Sequence, residues 1–259
     1  MMSSAPAVTD VPWLRSLRRV QNPRGRLVCF PHAGGAASFF REWPQRLAGD
    51  IEVLAVCYPG RESRINEPCV NAMEDLAAPL ADALAPFLTE PTAFFGHSMG
   101  ASVAYEVARR LSAGGRPGAA MLLVSGRAAP HRLRPSALGS QPDDDLISDV
   151  RRRGGPLAAA LDVPDLLELV LPSIRADYQL VDSYASEATL HPLHVPVTAY
   201  YGEGDVDNPA ESVLAWADVS GGPERFASRA FPGGHFFLVP HAADVLGDIN
   251  TRLARVTAA

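Results

Sequence analysis

The chain has 259 residues, of which 47% are hydrophobic and 20% charged, and its formal net charge is −6. A chain of this length and composition can bury a sizeable core, which excludes global disorder, and its acidic balance argues against a nucleic-acid partner. No run approaches the 18 apolar residues of a membrane span, and the N-terminus lacks the pattern of a signal peptide, so a cytoplasmic location is expected.

Short apolar runs that alternate with helical patterns predict an α/β fold. The runs of strand character are RLVCF (26–30), EVLAVCY (52–58), TAFFG (92–96), AMLLVSG (120–126), VTAYYG (197–202) and RFASRAF (225–231). Apolar residues at helical spacing predict helices in SFFREWPQRLA, AMEDLAAPLADALAPFL and SVAYEVARRLSA. This alternation implies a mostly parallel central sheet flanked by helices, with ligands outside the carboxyl ends of the strands. We predict an N-terminal extension over 1–25 and one domain over 26–259.

The alternation stops between Arg127 and Val195, where no run has strand character. PDDDLISDVRRRGG places acidic residues at the start of a predicted helix and arginines at its end, which matches the helix dipole. The next helical pattern, PDLLELVLPSIRADYQLVDSY, contains Pro172, which is expected to end or kink the helix. We therefore predict a helical insertion over about 127–195, placed between two strands as a lid.

The sequence GHSMG, which surrounds Ser98, follows a predicted strand and precedes a predicted helix. Gly-x-Ser-x-Gly in this context is typical of a nucleophile elbow, a tight turn that lifts the serine hydroxyl clear of the sheet. Side chains at the two glycine positions would collide with neighbouring chain. The alternative is an ordinary strand-to-helix turn with a serine N-cap.

A serine nucleophile needs a general base, and the α/β-hydrolase order places the histidine after the acid. His235 lies in FPGGHFFLVP, after the last predicted strand, and is the preferred base. The alternative, His241, lies inside the next helical pattern. His97 is expected to point away from its neighbour, and His191 and His194 have no accompanying acid ligand.

The acid is expected after the penultimate strand, in VTAYYGEGDVDNPAE. Asp205 stands just beyond the predicted strand end and is preferred to Asp207, which precedes a helix start. The oxyanion hole needs two backbone N–H groups. Met99, directly after the serine, is the first expected donor, and Ala33 in CFPHAGGAAS is the second, with Gly34 as the alternative.

The sequence contains no pattern for a metal or a phosphate-binding cofactor. The three cysteines, Cys29, Cys57 and Cys69, lack metal-ligand spacing and do not indicate a disulfide framework. No GxxxxGK[ST] or GxGxxG spacing is present. We expect no metal and no cofactor.

Six segments in this order resemble the type II thioesterases, the editing hydrolases of polyketide and nonribosomal peptide synthases. They are FPHAGG, YPGRESRINEP, FFGHSMGASVAYEVARRL, RRRGG, LPSIRADYQLVDSY and GGHFFL. The resemblance implies an α/β-hydrolase fold with a helical lid, and hydrolysis of acyl groups from the phosphopantetheine arm of acyl carrier proteins. The family triad falls on Ser98, Asp205 and His235. The segment GHSMGASVAYEVARRL, which contains Ser98, resembles the polyketide branch of the family more than the peptide branch.

The insertion is expected to shape an acyl pocket, with Leu166, Ile174 and Phe236 as candidate lining residues. The alternative is that the apolar face of the insertion merely packs on the sheet domain. A generic carboxylesterase or lipase and a medium-chain fatty acyl thioesterase are alternative functions, because they would share the triad and the lid. A non-catalytic binding module is disfavoured because no triad member is missing.

Carrier proteins are generally acidic, so docking to this acidic chain requires local attraction. Arg151, Arg152 and Arg153 form the densest basic cluster and are the candidate docking residues. The alternative is that they stabilise a helix C-terminus and are otherwise solvated. We expect a monomer.

Overall fold

The computed structural model describes residues 11–258, so residues 1–10 of the predicted extension 1–25 lie outside the described residues. Seven strands form one sheet in the order β1-β3-β2-β4-β5-β6-β7, and all neighbours are parallel except the antiparallel pair β1 and β3. The strands are β1 Leu14–Arg18, β2 Gly25–Phe30, β3 Ile51–Val56, β4 Thr92–His97, β5 Met121–Ser125, β6 Val197–Gly202 and β7 Phe226–Phe231. This arrangement confirms the predicted α/β-hydrolase fold with a mostly parallel sheet.

Strand β1 was not predicted, and it lies within the range assigned to the N-terminal extension. Its sequence LRSLR contains two arginines, so it lacks the apolar character of the other strands. The Arg18 guanidinium donates hydrogen bonds to the carbonyl groups of Pro44 and Ile51. These bonds provide acceptors for the donors of a charged side chain that lies on an edge strand.

In the described part of the chain, six α-helices accompany the sheet: α1 Met73–Leu84, α2 Met99–Ala113, α3 Asp143–Arg153, α4 Pro164–Glu187, α5 Ala210–Leu214 and α6 Ala242–Val256. The helix predicted in SFFREWPQRLA forms instead two short 3₁₀ segments, Ala37–Phe40 and Trp43–Arg46. Pro44 lies in the second segment and cannot donate a backbone hydrogen bond to a continuing α-helix. No helix within residues 11–258 has the length and apolar character needed to cross a membrane.

One hydrophobic core lies on each face of the sheet. Helices α1 and α2 cover one face, whose core includes Val28 and Phe94 of the sheet and Tyr105 of α2. Helix α6 covers the other face, whose core includes Phe95 of β4 and Ile249 of α6 itself. Parallel strands buried on both faces are nearly continuously apolar. This explains why β2 to β6 were recognisable from the sequence.

The insertion predicted over 127–195 contains no strand, as expected, and is built on α3 and α4. Helix α4 does not end at Pro172 but continues for 15 further residues to Glu187. Packing holds both halves of this helix: Ile174 belongs to a separate hydrophobic cluster within the insertion, whereas Leu180 and Tyr184 belong to the core beneath α2. Tertiary packing therefore outweighs the local effect of the proline.

Candidate active site

Ser98 occupies the turn between β4 and α2, with φ 54° and ψ −122°, a conformation rarely adopted outside glycine. A Cβ atom on Gly96 would lie 2.2 Å from the Gly100 carbonyl oxygen, and one on Gly100 would lie 2.0 Å from the Phe30 carbonyl oxygen. Both positions therefore require glycine. The Ser98 side chain makes no capping hydrogen bond to α2, which removes the N-cap interpretation.

The structure brings Ser98, His235 and Asp205 together at the carboxyl edge of the sheet. The Ser98 Oγ lies 3.0 Å from His235 Nε2, and His235 Nδ1 lies 2.7 Å from Asp205 Oδ2. Asp205 follows β6 and His235 follows β7, and both side chains are buried. This is a complete nucleophile, base and acid arrangement.

The Asp205 carboxylate is held by its own loop. Its Oδ1 accepts backbone hydrogen bonds from Asp207 and Asn208, and its Oδ2 also accepts one from the Asn208 side chain. Burial alone would raise the pKa of Asp205, but the hydrogen bond and the charge interaction with His235, together with the Asn208 bonds, lower it below its usual value. Asp205 is thus ionised and oriented toward the imidazole.

Asp207, the alternative acid, faces the lid and not His235. Its carboxylate forms ion pairs with Arg152 at 2.9 Å and with Arg153 at 3.2 Å, both at the end of α3. Both arginines also pair with Asp149, one turn earlier in the same helix. Asp207 therefore connects the lid to the loop that carries Asp205.

Two further histidines surround the base. His97, expected to point away from the site, is buried with its ring centroid 5.0 Å from that of His235, and its Nδ1 lies 3.0 Å from the Ser125 Oγ. Burial lowers the pKa of His97 well below its usual value and that of His32 to about 3. Both rings are therefore neutral at pH 7. His241, the alternative base, immediately precedes α6.

The backbone N–H groups of Met99 and Ala33 remain the candidate oxyanion donors. Within residues 11–258 neither donates a hydrogen bond to another protein group, and Ala33 lines the same cavity as Ser98. The Gly34 N–H, the alternative donor, is bonded to the Asp177 Oδ2 at 2.7 Å. The Gly34 N–H therefore already has an acceptor, which favours Ala33 as the second oxyanion donor.

The ion pair between Arg61 and Asp177 was missed by the sequence analysis. Asp177 accepts from Gly34, and Arg61 donates both to Asp177 and to the Gly35 carbonyl at 3.0 Å. Arg61 lies in YPGRE and Asp177 in IRADY, two of the segments that carry the family resemblance. Their position in those segments was the signal from which a role for both residues could have been predicted. Together they fix the loop that presents the Ala33 N–H.

Ser98 opens into a narrow cavity of about 60 Å³ beneath the lid. The sheet domain contributes His32, Ala33, His235 and Phe236 to its wall, and the insertion contributes Arg127, Ser136, Val150, Arg153, Gly154, Leu157, Tyr178 and Val181. A mostly apolar groove of about 400 Å³, lined by Phe39, Ile65, Leu169 and Val170 among others, shares His32 and Leu157 with this cavity. Leu157 thus stands between the nucleophile and an apolar surface.

The structure brings only one of the three predicted pocket residues to the cavity. Phe236 lines it beside Ser98. Ile174 is fully buried in the lid cluster and packs against the loop at Gly34. Leu166 is 43% exposed and lines neither the cavity nor the apolar groove, because it faces solvent from the first turn of α4.

The three arginines predicted to dock a carrier protein are all paired with acids of this chain. Arg151 pairs with Asp162, and Arg152 and Arg153 take part in the pairs with Asp149 and Asp207 described above. The structure thus shows these arginines in ion pairs with acids of the lid and, at Asp207, of the loop after β6, and their docking role stays a prediction. Among residues 11–258, no group of three or more His, Cys, Asp or Glu side chains is arranged to hold a metal ion.

Comparison with known proteins places this site in a family. The family model for the thioesterase domain matches residues 25–253. The chain is 41% identical over 245 residues to the thioesterase PikA5 of Streptomyces venezuelae, covering 93% of this chain and 85% of that protein. It is 38% identical over 247 residues to a probable cadicidin biosynthesis thioesterase of Streptomyces griseus, covering 95% of this chain and 66% of the relative.

A solved structure of a thioesterase also matches this chain. The type II thioesterase BorB from the borrelidin biosynthetic cluster superposes with a TM-score of 0.84 at 34% identity, covering 93% of this chain and 97% of that one. The chain therefore belongs to the thioesterase domain family and, within it, to the type II thioesterases.

Proposed function

We propose that this protein hydrolyses acyl groups from the phosphopantetheine arm of acyl carrier proteins and thereby edits stalled or aberrant acyl units in a polyketide or nonribosomal peptide synthase. The observation that carries the proposal is the continuous hydrogen-bonded line from Ser98 through His235 to Asp205, which opens into the lid-covered cavity. The similarity to type II thioesterases of biosynthetic clusters supports it.

In the proposed reaction, His235 Nε2 takes the proton from the Ser98 hydroxyl as Oγ attacks the thioester carbonyl. The N–H groups of Met99 and Ala33 stabilise the negative charge that develops on the carbonyl oxygen. The carbon–sulfur bond then breaks, and the pantetheine thiolate takes up the proton. Water, deprotonated by the same histidine, attacks the acyl-serine, which releases the carboxylic acid and restores Ser98.

Asp205 holds His235 in the tautomer with hydrogen on Nδ1 and stabilises the imidazolium that forms in each step. The neutral rings of His32 and His97 place no competing positive charge beside it. The lid encloses the reacting atoms and limits the access of bulk water. We further propose that the enzyme acts in the cytoplasm as a monomer.

The test is hydrolysis of a panel of acyl thioesters on a purified carrier protein, from acetyl to long chains, beside simple esters of the same acids. We expect higher kcat/KM for the carrier thioesters, and loss of activity in Ser98→Ala on the order of 10⁴- to 10⁶-fold. A serine-directed reagent should label Ser98 in the wild type and leave the variant unlabelled. Faster turnover of simple esters would show a general carboxylesterase instead.

A further inference from the structure

A second groove, of about 480 Å³, adjoins the catalytic cavity and has no lining residue in common with the apolar groove. We call it the arginine groove because Arg127, Arg132, Arg134 and Arg153 line it. It shares Arg127, Ser136, Arg153 and Val181 with the wall of the cavity that contains Ser98. The groove is therefore continuous with the site of hydrolysis.

Arg127 stands where the groove meets the cavity, and one of its donors is unused. Its Nε donates to the Ser102 Oγ at 3.0 Å, whereas its Nη2 is buried and has no hydrogen-bond partner within residues 11–258. A buried donor without an acceptor is costly. An acceptor supplied by a ligand would satisfy it.

Arg132 and Arg134 lie further along the groove, are exposed, and form no ion pair or side-chain hydrogen bond within the described part of the chain. Two acidic residues also line the groove. Asp207 is already paired with arginines of α3, which leaves Glu211 as the remaining acidic group. The uncompensated charge of the groove is positive.

We propose that the arginine groove binds the phosphopantetheine arm, with Arg132 and Arg134 contacting its phosphodiester and the Arg127 Nη2 donating to one of its amide carbonyl groups. This inference rests on the proposed function. The order of the protein groups, from Ser98 through Arg127 to Arg132 and Arg134, matches the order thioester, amide, phosphate along the arm. Arginine provides forked donors suited to phosphate oxygens.

The experiment compares two small substrates with the same acyl group, an acyl-pantetheine and the corresponding acyl-4′-phosphopantetheine, with no carrier protein. We expect the wild type to prefer the phosphorylated thioester about tenfold in kcat/KM, the effect of two charge-assisted contacts weakened by solvent exposure. The double variant Arg132→Gln/Arg134→Gln should remove this preference. The preference should also shrink at 0.5 M salt, where exposed charges are screened.

Arg255→Gln is the matched control, because Arg255 is also exposed and unpaired in the described chain but lies on α6, outside the groove. It should retain the wild-type preference. For the inner contact, Arg127→Met should lower kcat/KM more for the acyl-pantetheine than for the S-ethyl thioester of the same acid, which has no amide. Equal losses on both would overturn the assignment of Arg127.

Two different failures can be told apart. A wild type that hydrolyses both pantetheine thioesters without preferring the phosphorylated one contradicts the groove inference and leaves the proposed function intact. A wild type that hydrolyses neither, and no carrier-bound thioester, contradicts the proposed function itself. A preference that survives in the double variant would show that the phosphate binds elsewhere.

Discussion

Arg61 and Asp177 form a two-bond ion pair between the sheet domain and the lid, with Nη1 to Oδ2 at 2.7 Å and Nη2 to Oδ1 at 2.8 Å. Both side chains are almost fully buried. Burial alone would lower the pKa of Arg61, but the charge of Asp177 and its hydrogen bond raise it. Asp177 also binds the Gly34 N–H, so one carboxylate connects the lid, the guanidinium and the oxyanion loop.

Asp177→Asn should therefore impair both stability and catalysis. Removing one charge of a buried pair leaves the other uncompensated, at a cost of about 3 kcal/mol in the free energy of unfolding. We also expect kcat per folded molecule to fall because the Ala33 donor loses its support. Denaturant unfolding and active-site titration measure the two effects.

Glu52→Gln is the matched control for Asp177→Asn. It breaks the pair with Arg26, which is also largely buried but joins β2 to β3 at their starts, away from the site. This variant should lose stability and keep its kcat. If both variants lost stability alone, the ion pair with Asp177 would have no role in positioning the loop.

The acid of the triad can be identified by comparing two neighbouring aspartates. Asp205→Asn should lower kcat by up to ~10⁴-fold, as in serine proteases, because the amide cannot stabilise the imidazolium. Asp207→Asn weakens only the pairs with Arg152 and Arg153, so we expect a change of less than about tenfold. A larger effect at Asp207 would transfer the acid role to that residue.

The ion pairs between Asp207 and the lid are a contact that the sequence did not predict. The triad residues lie at recognisable points of a strand-and-helix order, so they could be named from local patterns. The partners of Arg152 and Arg61 lie 55 and 116 residues away, and no local pattern specifies such pairs. Similarly, the helical spacing of α4 identified its apolar residues but not that Leu166 faces solvent.

Stability should fall with acidification below about pH 6.5. His32 and His97 have folded-state pKa values below the unfolded value, so the unfolded chain binds more protons in this range. Their stabilising contribution is therefore complete above pH 6.5 and is lost as the pH falls toward the folded-state values, at about 1.4 kcal/mol per pH unit for each histidine. Urea unfolding between pH 7.5 and 5 measures this slope, and His97→Gln should reduce it.

Acyl-chain preference should respond to Leu157. Because this side chain separates the catalytic cavity from the apolar groove, Leu157→Ala is expected to shift kcat/KM toward longer acyl groups. Leu166→Ala is the control, since it removes the same side chain from an exposed site on the same lid. A panel of acyl thioesters from two to twelve carbons gives the comparison, and equal shifts in the two variants would contradict the assignment.

Helix α4 should exchange its amide hydrogens unevenly. Its first half carries exposed Leu166 and Leu169, whereas Leu180 and Tyr184 in its second half are buried in the main core. Local opening is easiest where few apolar contacts must break. Hydrogen exchange should thus be faster over 166–171 than over 178–185, and uniform protection would show a lid that is rigid throughout.

The position of β7 at the edge of the sheet also determines when the enzyme becomes active during its synthesis. Ser98 and the loop of Ala33 lie in the first 100 residues, whereas His235 follows β7, the last strand in the described part of the chain. Since β7 pairs only with β6 within residues 11–258, His235 reaches Ser98 only after β7 has been added to the sheet. A nascent chain that stops before β7 contains Ser98 and both candidate oxyanion donors, Ala33 and Met99, but it lacks His235 and therefore the base that the proposed hydrolysis requires.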